Sequence, residues 1–401
     1  MNAAWRVAFY LVVAAVFMQA VLGEYFYKSY LTELFIFLAW VVVGFQYVPR
    51  LKAPYIGQLY VLALLCVGYL IYSLFQGREL YWVARQAAFV LYASVAFMGY
   101  KHLMNEPGIL ARNSRRMFFF GAIMMAIQHF LTPVPGHPFF TAFLIFMLGT
   151  ACWVVQKKRV GAKVSITMAA FLISLATNEH MTFLVVPFAI LWAALFIQKP
   201  GYRFYLGTLA LLSILILPFL AAGLSDANAT WRYLYWLGVL EESWERGWFL
   251  VGKGFGTPYM PQSVEAFDAL IEQVSGRENL EYQLMTVPPH NGILTILIYL
   301  GLFGVIAFLI PYWQAARLAM RKPSEFVDPS ALVAAFAFLL LLASNQFVEV
   351  PYTATIFWLV YGGMIAYIQQ CRFVRAQTGN AMMNNSRGGE PNPTVNIQAK
   401  Q

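Results

Sequence analysis

The chain has 401 residues, of which 60% are hydrophobic and only 11% charged, and its mean hydropathy is +0.62. That composition excludes a soluble domain of this size. The net charge of +9 is spread over many short turns instead of one face, which argues against nucleic acid as a partner.

Apolar segments of bilayer-spanning length, roughly 18–22 residues each, recur from end to end. In chain order they cover 5–22, 30–48, 55–75, 80–99, 116–132, 136–156, 164–181, 182–198, 203–223, 291–313, 330–348 and 352–371. The expected fold is therefore all-α and polytopic, with about 12 transmembrane helices. The first segment is long, and Gly23-Glu24-Tyr25 follows it without a small-x-small cleavage site, so it reads as a retained helix. Cys66, Cys152 and Cys371 lie in or beside separate spans and give neither a disulfide framework nor metal-ligand spacing.

The positive-inside rule sets the orientation. With the N-terminus inside, cytoplasmic segments hold Arg6, Arg50, Lys52, Lys101, Arg112, Arg115, Arg116, Lys157, Lys158, Arg159, Lys163, Lys199, Arg203, Arg317, Arg321, Lys322, Arg372, Arg375, Arg387 and Lys400. The opposite side keeps Lys28, Arg78, Arg85, Arg232, Arg246, Lys253 and Arg277. Both termini are thus expected in the cytoplasm. Residues 1–376 read as one transmembrane domain, and 377–401, rich in Asn and Gly, as a disordered cytoplasmic tail.

One connection is long enough for chemistry: 224–289, on the non-cytoplasmic side. Trp231-Arg232-Tyr233 through Arg246-Gly247-Trp248 predicts a helix rich in interfacial aromatics. Gly252-Lys253-Gly254-Phe255-Gly256 follows as a glycine-dense turn, then a polar helix over 263–274. The loop closes on Pro288-Pro289-His290-Asn291 at the mouth of the next apolar run. An imidazole at that junction suits proton transfer on a substrate that is half lipid and half polar.

Each feature also has a plainer reading. The glycine turn either offers N–H groups to a phosphate or is a tight turn between loop helices. Arg232 and Arg246 either anchor among aromatics or fork onto phosphate oxygens. Arg85, set within the fourth span, faces substrate or pairs with a carboxylate such as Glu33. His129 and His137 flank a proline-rich turn and read as structural; His102 falls on the cytoplasmic side. Glu179-His180 occupies a turn, and Glu349 stands where it could orient a catalytic group.

His290-Asn291, nine residues, Gly301, two residues and Gly304 together resemble the signature of the O-antigen ligase family, H-[N/S/Q]-x9-G-x-x-[G/T/Y]. The run 249–256 is similar to that family's apolar-G-x-G-x-G element, and Arg232 precedes it in the same loop. In motif the resemblance covers 232–304. The chain departs from the family at Thr177-Asn178-Glu179-His180, where many members carry Ser-Arg, so that His180 stands in an arginine's place.

The resemblance implies a GT-C-like glycosyltransferase of the bacterial inner membrane. It would move a glycan from undecaprenyl diphosphate to a sugar hydroxyl of lipid A-core at the periplasmic face, or polymerise lipid-linked repeat units. His290 would be the base and Asn291 its neighbour in support. Arg232, Arg246, Arg85 and Lys253 would hold the diphosphate, with Gly254, Gly256, His180 and Glu349 supporting. No cofactor is implied, and without an acidic cluster the transfer is expected to be metal-independent. A secondary transporter is the rival class, which would need an inverted repeat or broken helices meeting in mid-membrane. A non-catalytic assembly protein is the third reading.

Overall fold

The computed structural model describes residues 3–22, 29–44, 56–130, 138–177, 181–198, 227–259, 288–320, 327–342, 348 and 350–386. Among them the regular structure is entirely helical. Twelve helices follow in order: α1 Ala3–Leu22, α2 Leu31–Gly44, α3 Ile56–Phe75, α4 Leu80–Asn105, α5 Ile109–Phe130, α6 Pro138–Gln156, α7 Val160–Thr177, α8 Met181–Gln198, α9 Ala227–Glu245, α10 Gly292–Met320, α11 Ser330–Leu342 and α12 Pro351–Ser386.

Five stretches are long and apolar enough to cross a membrane: Ala3–Leu22, Leu80–Asn105, Phe139–Gln156, Val160–Thr177 and Gly292–Ala319. Four shorter apolar helices accompany them. The twelve helices are not the twelve expected spans, because α9 belongs to the long connection, and the expected span 203–223 lies outside the described residues, as does the polar helix expected over 263–274. Helix α12 continues to Ser386, so 377–386 are helical; 387–401 lie outside the described residues.

The core forms where helices meet closely at glycines. Helices α4 and α12 cross at Gly99 and Gly362. A β-carbon at Gly99 would lie 3.0 Å from the Leu359 Cα, and one at Gly362 would lie 2.8 Å from the Tyr100 amide nitrogen. Small residues at such crossings suit a bilayer, where helix association relies on tight packing. Around the crossing sit the buried rings of Phe89, Tyr299, Phe308, Trp358 and Tyr361. Tyr361 donates to the Phe308 carbonyl at 2.9 Å and Trp358 to that of Val348 at 3.1 Å, which satisfies both polar tips.

Gly362→Leu should therefore lower stability by about 1–3 kcal/mol through overpacking. Gly161→Leu, at a position with open space around it, should change little. Melting temperatures of the two purified variants in one detergent check this, and equal values would rule out the close crossing.

Candidate functional site

Helix α10 is broken at Gly301, whose φ of 65° and ψ of −170° are not helical. In an unbroken helix the amides of 302 and 303 would bond the carbonyls of 298 and 299. Here Leu302 N–H donates to Phe249 O at 2.9 Å and Phe303 N–H to Leu250 O at 3.5 Å. The vacated carbonyls accept from the glycine turn, Ile298 O from Lys253 N–H at 2.6 Å and Tyr299 O from Gly254 N–H at 3.2 Å. The exchange is one for one. Without it each group would carry a cost of several kcal/mol in an apolar medium. Two glycines make the approach possible. A β-carbon at Gly252 (φ 77°) would lie 2.5 Å from the Gly301 nitrogen, and one at Gly301 would lie 2.6 Å from the Gly252 nitrogen.

The turn's other side is held by α3, α4 and the short connection between them. Arg78 forks across two carbonyls, Phe255 O at 2.5 Å and Lys253 O at 2.7 Å. Ser73 Oγ accepts from Phe255 N–H at 2.9 Å. Gln86 accepts from Gly256 N–H at 2.7 Å and Thr257 N–H at 3.3 Å, and donates to Thr257 O at 2.8 Å. Gly252 N–H bonds Trp248 O at 2.6 Å. Every amide from 252 to 257 thus donates within the protein. Of the two sequence readings of Gly254 and Gly256, the geometry favours the tight turn over a phosphate cradle: it is a latch between α4 and the break in α10. Sequence reading missed Arg78, Ser73 and Gln86. The available signal was an arginine in the turn Gln76-Gly77-Arg78-Glu79, on a face with few cations.

Lys253 and Arg246 converge on one carboxylate. Lys253 Nζ lies 2.7 Å from Glu242 Oε1, and Arg246 Nη1 lies 3.9 Å from the same oxygen. Glu242 is 8% exposed, whereas the Arg246 side chain is 53% exposed and its pairing contributes little. The Lys253 ammonium also sits 4.8 Å from the Trp248 ring centre. Burial pulls the Lys253 pKa below the ordinary lysine range; Glu242 raises it back in part and Arg246 lowers it. A diphosphate at Lys253 would have to compete with Glu242.

His290 and Asn291 stand at the start of α10. Asn291 caps the helix, its Oδ1 accepting from Ile293 N–H at 3.0 Å and Leu294 N–H at 3.2 Å. Such a cap contributes about 1 kcal/mol. His290 precedes it with a left-handed φ of 50°, a region that histidine enters more readily than most residues. Its ring is half-buried, and Nδ1 lies 3.0 Å from Pro288 O. A carbonyl only accepts, so Nδ1 carries the hydrogen in the neutral ring and Nε2 carries the lone pair. Pro288 and Pro289 are buried, and Trp236 Nε1 donates to Pro289 O at 2.6 Å, which ties α9 to the histidine's entry.

Trp236 meets Pro289, and Glu242, further along α9, meets Lys253 beside Ile298. Helix α9 therefore runs alongside the first half of α10 in the same direction. Arg232 stands one turn before Trp236, at the His290 end; its side chain lies outside the described part. Arg246 is fourteen positions later, about 21 Å along the axis at 1.5 Å per residue, at the Gly301 end. The expected pairing of both arginines on one diphosphate does not follow from this placement. Arg85 is exposed, hydrogen-bonded to the Tyr81 hydroxyl at 3.3 Å and 5.9 Å from the Trp82 ring centre. Glu33, offered above as its partner, accepts instead from the Tyr92 hydroxyl. His180, His137 and Glu349 lie outside the described residues. No group of three or more His, Cys, Asp or Glu side chains is close enough to hold a metal among the described residues.

No family model matches the chain, and no curated protein matches it in sequence.

The Lys253–Glu242 pair gives a pH prediction. A lysine with a lowered folded pKa destabilises the fold while charged, and the penalty is relieved as pH climbs from that value to the ordinary ~10.4. Glu242→Gln removes the raising influence, so its loss of melting temperature should be greatest near neutrality and least near pH ~10. Equal losses at both pH values would show that the ammonium is not the group responding.

Proposed function

We propose that this chain is a membrane glycosyltransferase of the O-antigen ligase type, with His290 as general base and Arg232, on the helix tied to the histidine's entry, as the cation that binds the donor's diphosphate. The donor would be a glycan on undecaprenyl diphosphate and the acceptor a sugar hydroxyl of lipid A-core. The same site would serve a repeat-unit polymerase whose acceptor is a second lipid-linked glycan. The charge bias of the sequence supports a non-cytoplasmic position for this end of the bundle, which in the proposed reading is the periplasmic face of the inner membrane.

The observation that carries the reading is the setting of His290. Its Nδ1 faces a carbonyl, its backbone is set by a capped helix start, and its entry is pinned to the helix that bears Arg232. In the proposed step Nε2 takes the acceptor hydroxyl's proton and the oxygen attacks the donor's anomeric carbon. The bond from that carbon to the diphosphate breaks, and undecaprenyl diphosphate leaves with its charge held by arginine. Lys253 and Arg246, already engaged by Glu242 at the Gly301 end, have a secondary electrostatic part.

A transporter reading would make use of the broken helix in α10. The backbone groups freed at Gly301 are closed by 249–254, which leaves that break without the open ligand positions a coupled ion would need.

In membrane vesicles given labelled lipid-linked glycan and lipid A-core, His290→Ala should lower transfer about 10²–10⁴-fold. His290→Gln should behave alike, since an amide cannot take the proton. Arg232→Lys should lose more transfer than Arg246→Lys, because the bidentate fork is lost where the leaving group sits. Wild-type transfer should fall on acidification as the imidazole is protonated. Full transfer by correctly inserted His290→Ala would sink the mechanism.

A further inference from the structure

Arg78 belongs to the connection between α3 and α4, with no motif around it. Yet its guanidinium holds the carbonyls on both sides of Gly254, and Ser73 and Gln86 take the amides of 255–257. The opposite edge of the same turn supplies the amides that Ile298 and Tyr299 need. Those two carbonyls end the half-helix that begins at Asn291, so a chain of backbone contacts leads from Arg78 through Lys253–Gly254 to the short rigid rod whose other end carries His290. Nine residues of α10 precede Gly301, about 13 Å at 1.5 Å per residue. A shift of the latch tilts the rod and moves its far end with it. Arginine suits the task because one planar fork reaches two carbonyls at fixed spacing. The ring of Tyr72, 5.8 Å away at its centre, backs the guanidinium.

We propose that Arg78, with Ser73 and Gln86, is a positioning residue for His290, acting through the glycine latch on the broken helix without touching substrate. The inference rests on His290 being the base. Misplacement by about 1 Å can cost on the order of 10²-fold in rate, so Arg78→Ala should lower kcat on the order of 10- to 100-fold while the KM for the lipid donor changes little. Arg78→Lys, which can reach one carbonyl but not both, should fall between. Ser73→Ala, a milder change that removes the acceptor for Phe255 N–H and for the long bond from Arg78 Nη1 at 3.4 Å, should shift kcat in the same direction if Arg78→Ala fails to fold.

The experiment combines transfer kinetics in vesicles with hydrogen exchange of the full-length protein. In Arg78→Ala the peptides covering 249–257 and 298–303 should exchange faster than in wild type, while those in α5 and α6 stay unchanged. Unchanged exchange in the latch would overturn the proposal. So would faster exchange with wild-type kcat, provided that His290→Ala abolishes transfer, since the latch would then be loose without consequence. A drop that fell wholly on KM would make Arg78 a donor ligand, which also overturns it. Wild-type transfer by His290→Ala would instead bring down the base assignment itself, a result read on a different variant.

Discussion

The exchange of backbone hydrogen bonds at Gly301 is the constraint on which this end of the molecule depends. An apolar helix can be interrupted only if some other backbone takes up the amides and carbonyls that the break releases. Here that backbone is 249–254, with the register of its bonds set by the two facing amides and two facing carbonyls. The fit needs glycine on both sides, because any β-carbon at 252 or 301 would overlap the opposing main chain. Once the turn is committed to this position, Trp248, Lys253 and the C-terminal end of α9 come with it, and Lys253 is delivered to Glu242. The half-helix of α10 is then a separate body, packed on all sides, with every residue from Leu294 to Gly301 buried.

The cations near this end divide by what already engages them. Arg78 is consumed by backbone carbonyls, and burial pulls its pKa below the ordinary arginine range. Lys253 is the half-buried partner of the buried Glu242, and Arg246 shares the same carboxylate from a more exposed position. Arg85 sits exposed against Trp82 and Tyr81, the arrangement of an interfacial anchor. A buried pair is expensive to break, because removing one partner leaves the other charged in a poor solvent. Charges that already hold the latch together are therefore ill placed to take up and release an anion in each turnover. That physical argument turns the proposed diphosphate contact away from the cluster around Glu242.

Much of the architecture was legible along the chain. Apolar run length marked most of the helices to within a few residues, since a backbone in lipid must satisfy itself locally. The aromatic stretch over 231–248 became α9, and Asn291 became a cap because its side chain reaches only two and three residues ahead. Three features were legible only in part. The C-terminal segment from 377 was expected as a tail, and α12 runs to Ser386. Gly301 was legible as a motif position, although nothing in an apolar run announces that the helix breaks there. The glycine turn was legible as a turn, and its partner was not.

What the sequence by itself determined, then, is what near neighbours govern: a helical chain with membrane-length apolar helices, one long polar connection, and a histidine and an asparagine at the start of α10. What only the tertiary structure decided is which groups far apart in sequence consume one another. Arg78 and Lys253 are 175 positions apart, and Gln86 and Gly256 are 170; no periodicity or spacing rule couples such pairs. Hydrogen bonds and ion pairs depend on distances of about 3 Å in space, and those distances exist only after the helices have packed. For that reason Arg78, which the sequence marked only as a cation on the non-cytoplasmic side, is the clamp of the latch, while Lys253 and Arg246, which looked available for a phosphate, face Glu242.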